Sequence, residues 1–256
     1  MCIVMNFDFH THGKLTKYDE FSIRHFRALV KAAKESGLDG FALTEHFNTR
    51  HFFDVFGTLD EFYPYENGYY LVDGLRVFPG MEVHTRELEH ILMIGSRVGI
   101  RALRMQLQPY THKLNYIPIE KLLELTVSQD VLLIAGHPVI QQRDLFTLEP
   151  HILERLDAIE MNGQDLRPRS IEENASEVEQ LGIELNKIVL GGSGAFHRNH
   201  FGKVFTKFDT SFSTVSELRA LLDQGAYTVK VMASSEKTFL QQQLTAELGA
   251  WSEPYL

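Results

Sequence analysis

Residues 2–46 read CIVMNFDFHTHGKLTKYDEFSIRHFRALVKAAKESGLDGFALTEH, and within them an architectural unit is already spelled out. Residues 2–9 form a largely apolar run suited to a strand, which runs out into the polar group Asp8-Phe9-His10-Thr11-His12. Phe26, Leu29, Val30 and Ala33 then recur at helical spacing, and Gly37 is placed to stop that helix. Residues 41–44 give a short buried strand that ends at Glu45 and His46. Strand, helix and strand in so short a span make a βαβ unit, whose strands pair in parallel beneath a covering helix.

The same rhythm continues along the chain. LRVFPGMEV (75–83) and HILMIG (90–95) read as strands, IEKLLELTVS (119–128) as a helix, and VLLIAGHP (131–138) as a buried strand ending in a turn. A short helix over 150–156 precedes the strand AIEMNG (158–163). SIEENASEVEQLG (170–182) follows as a helix, with Ser170 as N-cap and Glu173 three residues on. KIVLGGSGA (187–195) is a strand running into glycines, TVSELRALLDQG (214–225) a helix, AYTVKV (226–231) a last strand, and the stretch at about 235–249 a C-terminal helix. Residues 48–74 are aromatic and acidic with weak periodicity. They are expected to form a loop insertion over the barrel mouth, a lid or substrate wall. The expectation is an α/β barrel, with residues 1–256 as one domain.

Composition narrows the function. Twenty-five basic against 34 acidic residues give a formal charge of -9, which disfavours long nucleic acid as a partner. An anionic small molecule still binds where metal ions or lysines reverse the local sign. The single cysteine, Cys2, forms no disulfide within the chain. The absence of a leader pattern or a long apolar run points to a cytoplasmic protein without membrane contact. GGSG at 191–194 lacks the spacing of a dinucleotide or phosphate-binding loop, and no nucleophile elbow is present.

The polar residues fall where a barrel keeps its chemistry. His10 and His12, Glu45 and His46, Glu82, His137, and Glu160 with Asn162 end successive strands; His90 opens one; His197 and His200 follow a last one. His10 and His12 are two apart on an extended segment, so both imidazoles point the same way. Imidazole suits zinc, iron and other first-row ions, carboxylates tolerate manganese, and a glutamate bridges two ions through its two oxygens. Asp8 is a candidate for orienting a ligating histidine. His25, His112 and His151 read as structural or exposed.

Asp8–His12 (DFHTH), LTEH at His46, PGMEV at Glu82, EHILMIG at His90, AGHP at His137 and IEMNG at Glu160 together resemble the PHP (polymerase and histidinol phosphatase) family over nearly the whole chain. The resemblance implies a distorted (β/α)7 barrel of the PHP type, two or possibly three divalent ions (Zn, Mn or Fe), and phosphoesterase activity. It implies that His10, His12 and a bridging Glu82 hold a first ion. Glu82, His90 and His137 would hold a second, and His46 a third with a histidine of the last motif, His197. Two positions depart from the pattern. Lys17 falls near the place of an Asp or His ligand, and Gly194 stands where an Asp is usual. Two alternatives follow: Lys14 or Lys17 supplies positive charge in place of a third ion, or Lys17 is exposed and the third position is empty.

The implied reaction is hydrolysis of a phosphate ester of a small phosphorylated metabolite or nucleotide by a metal-bound hydroxide. Lys17, Arg86 and Arg198 are the leading candidates to contact the phosphate, with His200 beside them. Two rivals are metal-dependent hydrolysis of an amide or other ester, favoured if residues 51–70 build an apolar pocket, and a metal-binding PHP-like protein that has lost turnover.

Overall fold

The computed structural model describes residues 4–88, 90–139, 142–165 and 171–232; the helix expected at about 235–249 and the Ser170 cap lie outside them. β1 (Met5–Thr11), α1 (Ile23–Glu35) and β2 (Gly40–Leu43) form the βαβ unit, with β1 and β2 parallel. Ser22 caps α1 by accepting the His25 amide, and Phe26, Leu29, Val30 and Ala33 are its buried stripe.

Residues 48–74 do not form the expected loop. They fold into α2 (Phe52–Phe62) and a hairpin of β3 (Tyr65–Glu66) and β4 (Tyr69–Val72). Phe52, Val55, Phe56 and Leu59 recur at helical spacing and are buried, so the aromatic content of this segment serves the core.

The chain continues through β5 (Leu75–Val83), β6 (Ile91–Gly95), α3 (Arg97–Gln106), α4 (Ile119–Thr126) and β7 (Val131–Ala135). Then come α5 (Gln142–Thr147), α6 (Pro150–Arg155), β8 (Ala158–Asn162), α7 (Ile171–Leu185), β9 (Ile188–Gly192), β10 (Val204–Phe208), α8 (Val215–Asp223) and β11 (Tyr227–Val231). The strand order is β11-β10-β1-β2-β5-β6-β7-β8-β9. This is the expected distorted barrel, realised as a mixed, nearly closed sheet of nine strands surrounded by helices. A parallel bridge from Thr11 to Ala195, with His12 N donating to the Ala195 carbonyl at 2.7 Å, brings β1 against the exit of β9.

Two irregularities position the site. β6 runs antiparallel to both β5 and β7, so its first residues lie beside their carboxyl ends. The β1–β2 register shifts between Asp8 and Thr11. Phe7 and Phe9 belong to the inner core, and this bulge resets the alternation so that His10 and His12 also face inward.

The inner core packs Phe7, Phe9, Phe78, Leu92, Ile134, Leu190, Phe208 and Phe212, with Phe7 edge-on to Phe9 and Phe78 at 4.8 and 5.2 Å. Leu218 of α8 joins it, while Arg219 reaches Asp157 and the Val131 carbonyl at the amino ends of β8 and β7. α8 therefore plugs the barrel end opposite the polar residues. A second apolar layer lies between the strands and the other helices. Among the described residues no helix is long and apolar enough to cross a membrane.

Candidate metal centre

The carboxyl ends of β1, β5, β7 and β8 and the start of β6 converge on one cavity of 380 Å³. Glu82, on β5, is its fully buried centre. Its Oε1 accepts from His90 Nδ1 at 2.5 Å. Its Oε2 stands 2.7 Å from His46 Nδ1, 3.7 Å from His12 Nε2 and 3.8 Å from His10 Nε2, yet receives no hydrogen bond. His10 Nε2 and His12 Nε2 face each other at 3.1 Å. A buried carboxylate oxygen and imidazole nitrogens converging without donor geometry are the donor set of a divalent cation. The residues present therefore fit the metal ions that the resemblance implied.

Among the described residues three overlapping groups offer ligand atoms close enough for one ion: His10, His12 and Glu82; Glu82, His90 and His137; and His10, His137 and Glu160. Glu82 is common to the first two, as expected of a bridging ligand.

Carboxylates also hold these histidines in place, Glu160 of the third group among them. Glu160 Oε1 pairs with His10 Nδ1 at 2.9 Å, which leaves Nε2 of that ring for an ion, and its Oε2 accepts the His137 amide at 3.2 Å. Asn162 Nδ2 donates to Glu160 Oε1 at 2.8 Å. Gly192 makes this possible: a Cβ there would stand 2.4 Å from Glu160 Oε1 and 2.8 Å from His10 Cβ. Asp165 Oδ1 pairs with His137 Nδ1 at 2.7 Å, and His137 itself sits in the left-handed region at φ 47°. Glu45 pins the loop after the histidine pair, its Oε2 accepting the Gly13 and Lys14 amides and its Oε1 the His46 amide.

The electrostatics follow from this packing. Burial pushes the Glu82 carboxyl up, but His46 and His10 outweigh it and hold it well below the usual carboxylate range. Burial pushes His10 down, but Glu160 and Glu82 outweigh it and hold the ring well above the usual histidine range. His46 and His137 are raised in the same way, by Glu82 and by Asp165 with Glu160. His84 packs between His46, His90 and Tyr116, and burial brings it down to about 4, so it is neutral at pH 7.

The remaining predicted residues divide. His46 and Lys17 line the cavity, and the His46 ring stacks on His12 at 4.5 Å. Gly194 lines it too, at φ 59°, so no carboxylate joins the first group from there. His197 caps the 3-10 turn Arg198–His200 and is in none of the three groups. Arg198 is exposed on that turn, and Arg86 is exposed with its Nε on the Tyr116 carbonyl; neither is among the cavity-lining residues. Asp8 does not orient a histidine ring: its Oδ1 accepts the His10 and Ser193 amides and ties β1 to β9. Asp165 went unnoticed in the sequence, where only its place just past Asn162-Gly163 at a strand end marked it.

No family model and no curated protein matches the sequence. Solved structures do match. PsfC from Pseudomonas syringae superposes with a TM-score of 0.72 at 17% identity, over 97% of this chain and 99% of its own. The lesion-specific endonuclease PfuEndoQ from Pyrococcus furiosus superposes with a TM-score of 0.65 at 19% identity, over 89% of this chain and 58% of its own. Endonuclease Q in complex with a 27-mer duplex bearing an abasic lesion at the active site gives 0.62 at 17%, over 90% and 59%. The fold is a distorted barrel of the PHP type. On that barrel the clustered histidines and glutamates form groups able to hold divalent ions.

One expectation is overturned. Net charge argued against long nucleic acid, yet two of these matched structures are of lesion-processing endonucleases, one in complex with a 27-mer duplex substrate whose abasic lesion lies at the active site. Net charge averages the whole surface, whereas binding at a metal site depends on the local field.

Proposed function

We propose that this chain hydrolyses a phosphate ester at the Glu82-centred site. The sharing of Glu82 between the His10–His12 and His90–His137 groups carries the proposal. Divalent ions bound there supply Lewis acidity toward phosphoryl oxygens and lower the pKa of coordinated water. The chain's own part is placement. Glu160 and Asp165 fix ring orientations, Gly194 adds no side chain to the cavity wall, and Lys14 and Lys17 bring positive charge to it.

The substrate we favour is a small phosphorylated metabolite or a nucleotide, since the cavity has the volume of a small-molecule site. A nucleic-acid phosphodiester is the second reading, supported by the likeness to endonuclease Q. Hydrolysis of a neutral amide or ester is less favoured. Phe52, Phe56, Tyr69 and Tyr70 pack into the core, Phe62 is exposed, and no aromatic residue of 51–70 is among those lining the cavity.

The test is to strip the protein with chelator and reload it with zinc, manganese or iron. Turnover is then followed on p-nitrophenyl phosphate, bis-p-nitrophenyl phosphate, nucleotides and abasic duplex DNA. Metal-restored turnover of any phosphate ester supports the proposal, and the preferred substrate separates the two readings. Turnover confined to carboxylic esters or amides defeats it.

A further inference from the structure

We infer that Lys14, rather than the more exposed Lys17, is the fixed cation that grips the phosphoryl group of the substrate; this rests on the phosphoesterase reading above. Lys14 follows His12 by two residues and lines the same cavity, and it is only 2% exposed. Its backbone is anchored, because the Gly13 and Lys14 amides both donate to Glu45 Oε2 at 3.1 and 3.2 Å. Its Nζ is anchored as well, donating to Thr49 Oγ1 at 3.0 Å and to the Arg50 carbonyl at 2.5 Å. Thr49 Oγ1 spends its own proton on the Lys17 carbonyl at 2.9 Å, so it faces Lys14 as an acceptor.

Both partners of the ammonium are neutral. Glu45, Asp19 and Asp54 attract it, but among the described residues none forms an ion pair with it, so its only direct partners are the Thr49 hydroxyl and the Arg50 carbonyl. A buried charge without a counterion is costly, and a lysine on the wall of a cavity is relieved of that cost by an anion bound in the cavity. Lys17 lacks this build. It is half-buried, and its Nζ lies 5.6 Å over the ring of the exposed Tyr18. A cation placed in advance loses little on binding, whereas a mobile one must be ordered each time.

The competing role is that of a strut joining residue 14 to residues 49–50. Phosphate affinity at constant metal content tells the two apart. The metal-loaded protein is titrated with inorganic phosphate by calorimetry, as wild type, Lys14→Met and Lys14→Arg, with metal content measured on each sample. The expected result is full metal content throughout, phosphate binding weakened about tenfold to a hundredfold in Lys14→Met, and most of it retained in Lys14→Arg. Turnover of p-nitrophenyl phosphate falls in step. A Lys14→Met protein with full metal and wild-type phosphate affinity overturns the inference while leaving the phosphoesterase reading intact. A wild type that neither binds phosphate nor cleaves phosphate esters defeats that reading, and the lysine's role with it. If Lys14→Met does not fold, Lys14→Gln keeps a donor for the Arg50 carbonyl without the charge, and unchanged phosphate affinity there is equally decisive.

Discussion

Replacing Asp8 by Asn should stabilise the metal-free protein, and by more as the pH rises. Asp8 is fully buried; one oxygen accepts two amides, and the other has no hydrogen-bond partner. Burial raises its pKa from 3.8 to about 7, against the opposing pull of Ser193 and His10. Below pH 3.8 the group is neutral in folded and unfolded chains and costs nothing. Between 3.8 and about 7 the unfolded chain ionises first, so stability drains away, and above 7 the full penalty applies. A gap of roughly three units at 1.36 kcal/mol each is about 4 kcal/mol. Asparagine keeps the acceptor for both amides and carries no charge. Its Nδ2 donor stands where the protonated acid would carry its own, so the two proteins should be nearly equal in stability near pH 4. Guanidinium denaturation of chelated wild type and Asp8→Asn, from pH 4 to 8.5, measures the difference directly. A gap that does not grow with pH, or an Asp8→Asn protein less stable at pH 8 than wild type, would refute the reasoning.

Other consequences concern the ligands. Glu160→Gln should keep the fold and lower metal affinity about 10- to 100-fold, because the ring of His10 loses its anionic partner; competition with a chromophoric chelator reads this, and unchanged affinity would count against the role. Carboxylates raise His10, His46 and His137, so these rings keep their protons to higher pH than an ordinary histidine and an ion must compete with those protons. Metal affinity should therefore climb with pH from about 6.5 through the raised values, and calorimetry in two buffers of different ionisation heat should show proton release; none would contradict the assignment. In the metal-free protein the His10 contribution to stability is full below its unfolded value and lost as pH rises through the folded one. That of Glu82 is present above its unfolded value and lost as pH falls.

Much of this was legible in the sequence because strand ends are abrupt there. VLLIAG stops at His137 and LRVFPGM at Glu82, so apolar runs broken by single ligands declared both the strands and the face. Direction was harder to see. Nothing in HILMIG says that β6 runs against its neighbours, since a fully buried strand carries the same pattern either way. Residues 48–74 misled because the Phe and Tyr side chains that set the α2 stripe and the hairpin are interleaved with acids. Glu160 was noted as a strand end, but only the barrel, bringing together residues 150 apart, reveals that it serves His10. Lys14 and Lys17 differ by three positions and look equivalent in one dimension; Thr49 and the Arg50 carbonyl distinguish them.

The bulge in β1 makes the centre sensitive to reading frame along the strand. Phe7 and Phe9 fill the interior, and one irregular step later His10 and His12 face the same way. Straightening that step would turn both imidazoles away from the cavity and would also break the bonds of residues 10–12 to Ala42, Thr44 and Ala195. Residues 8–11 thus work as a phase shifter between two demands on one strand, greasy packing below and ion chemistry above, and the same irregular step that aims the imidazoles also stitches β1 to its neighbours.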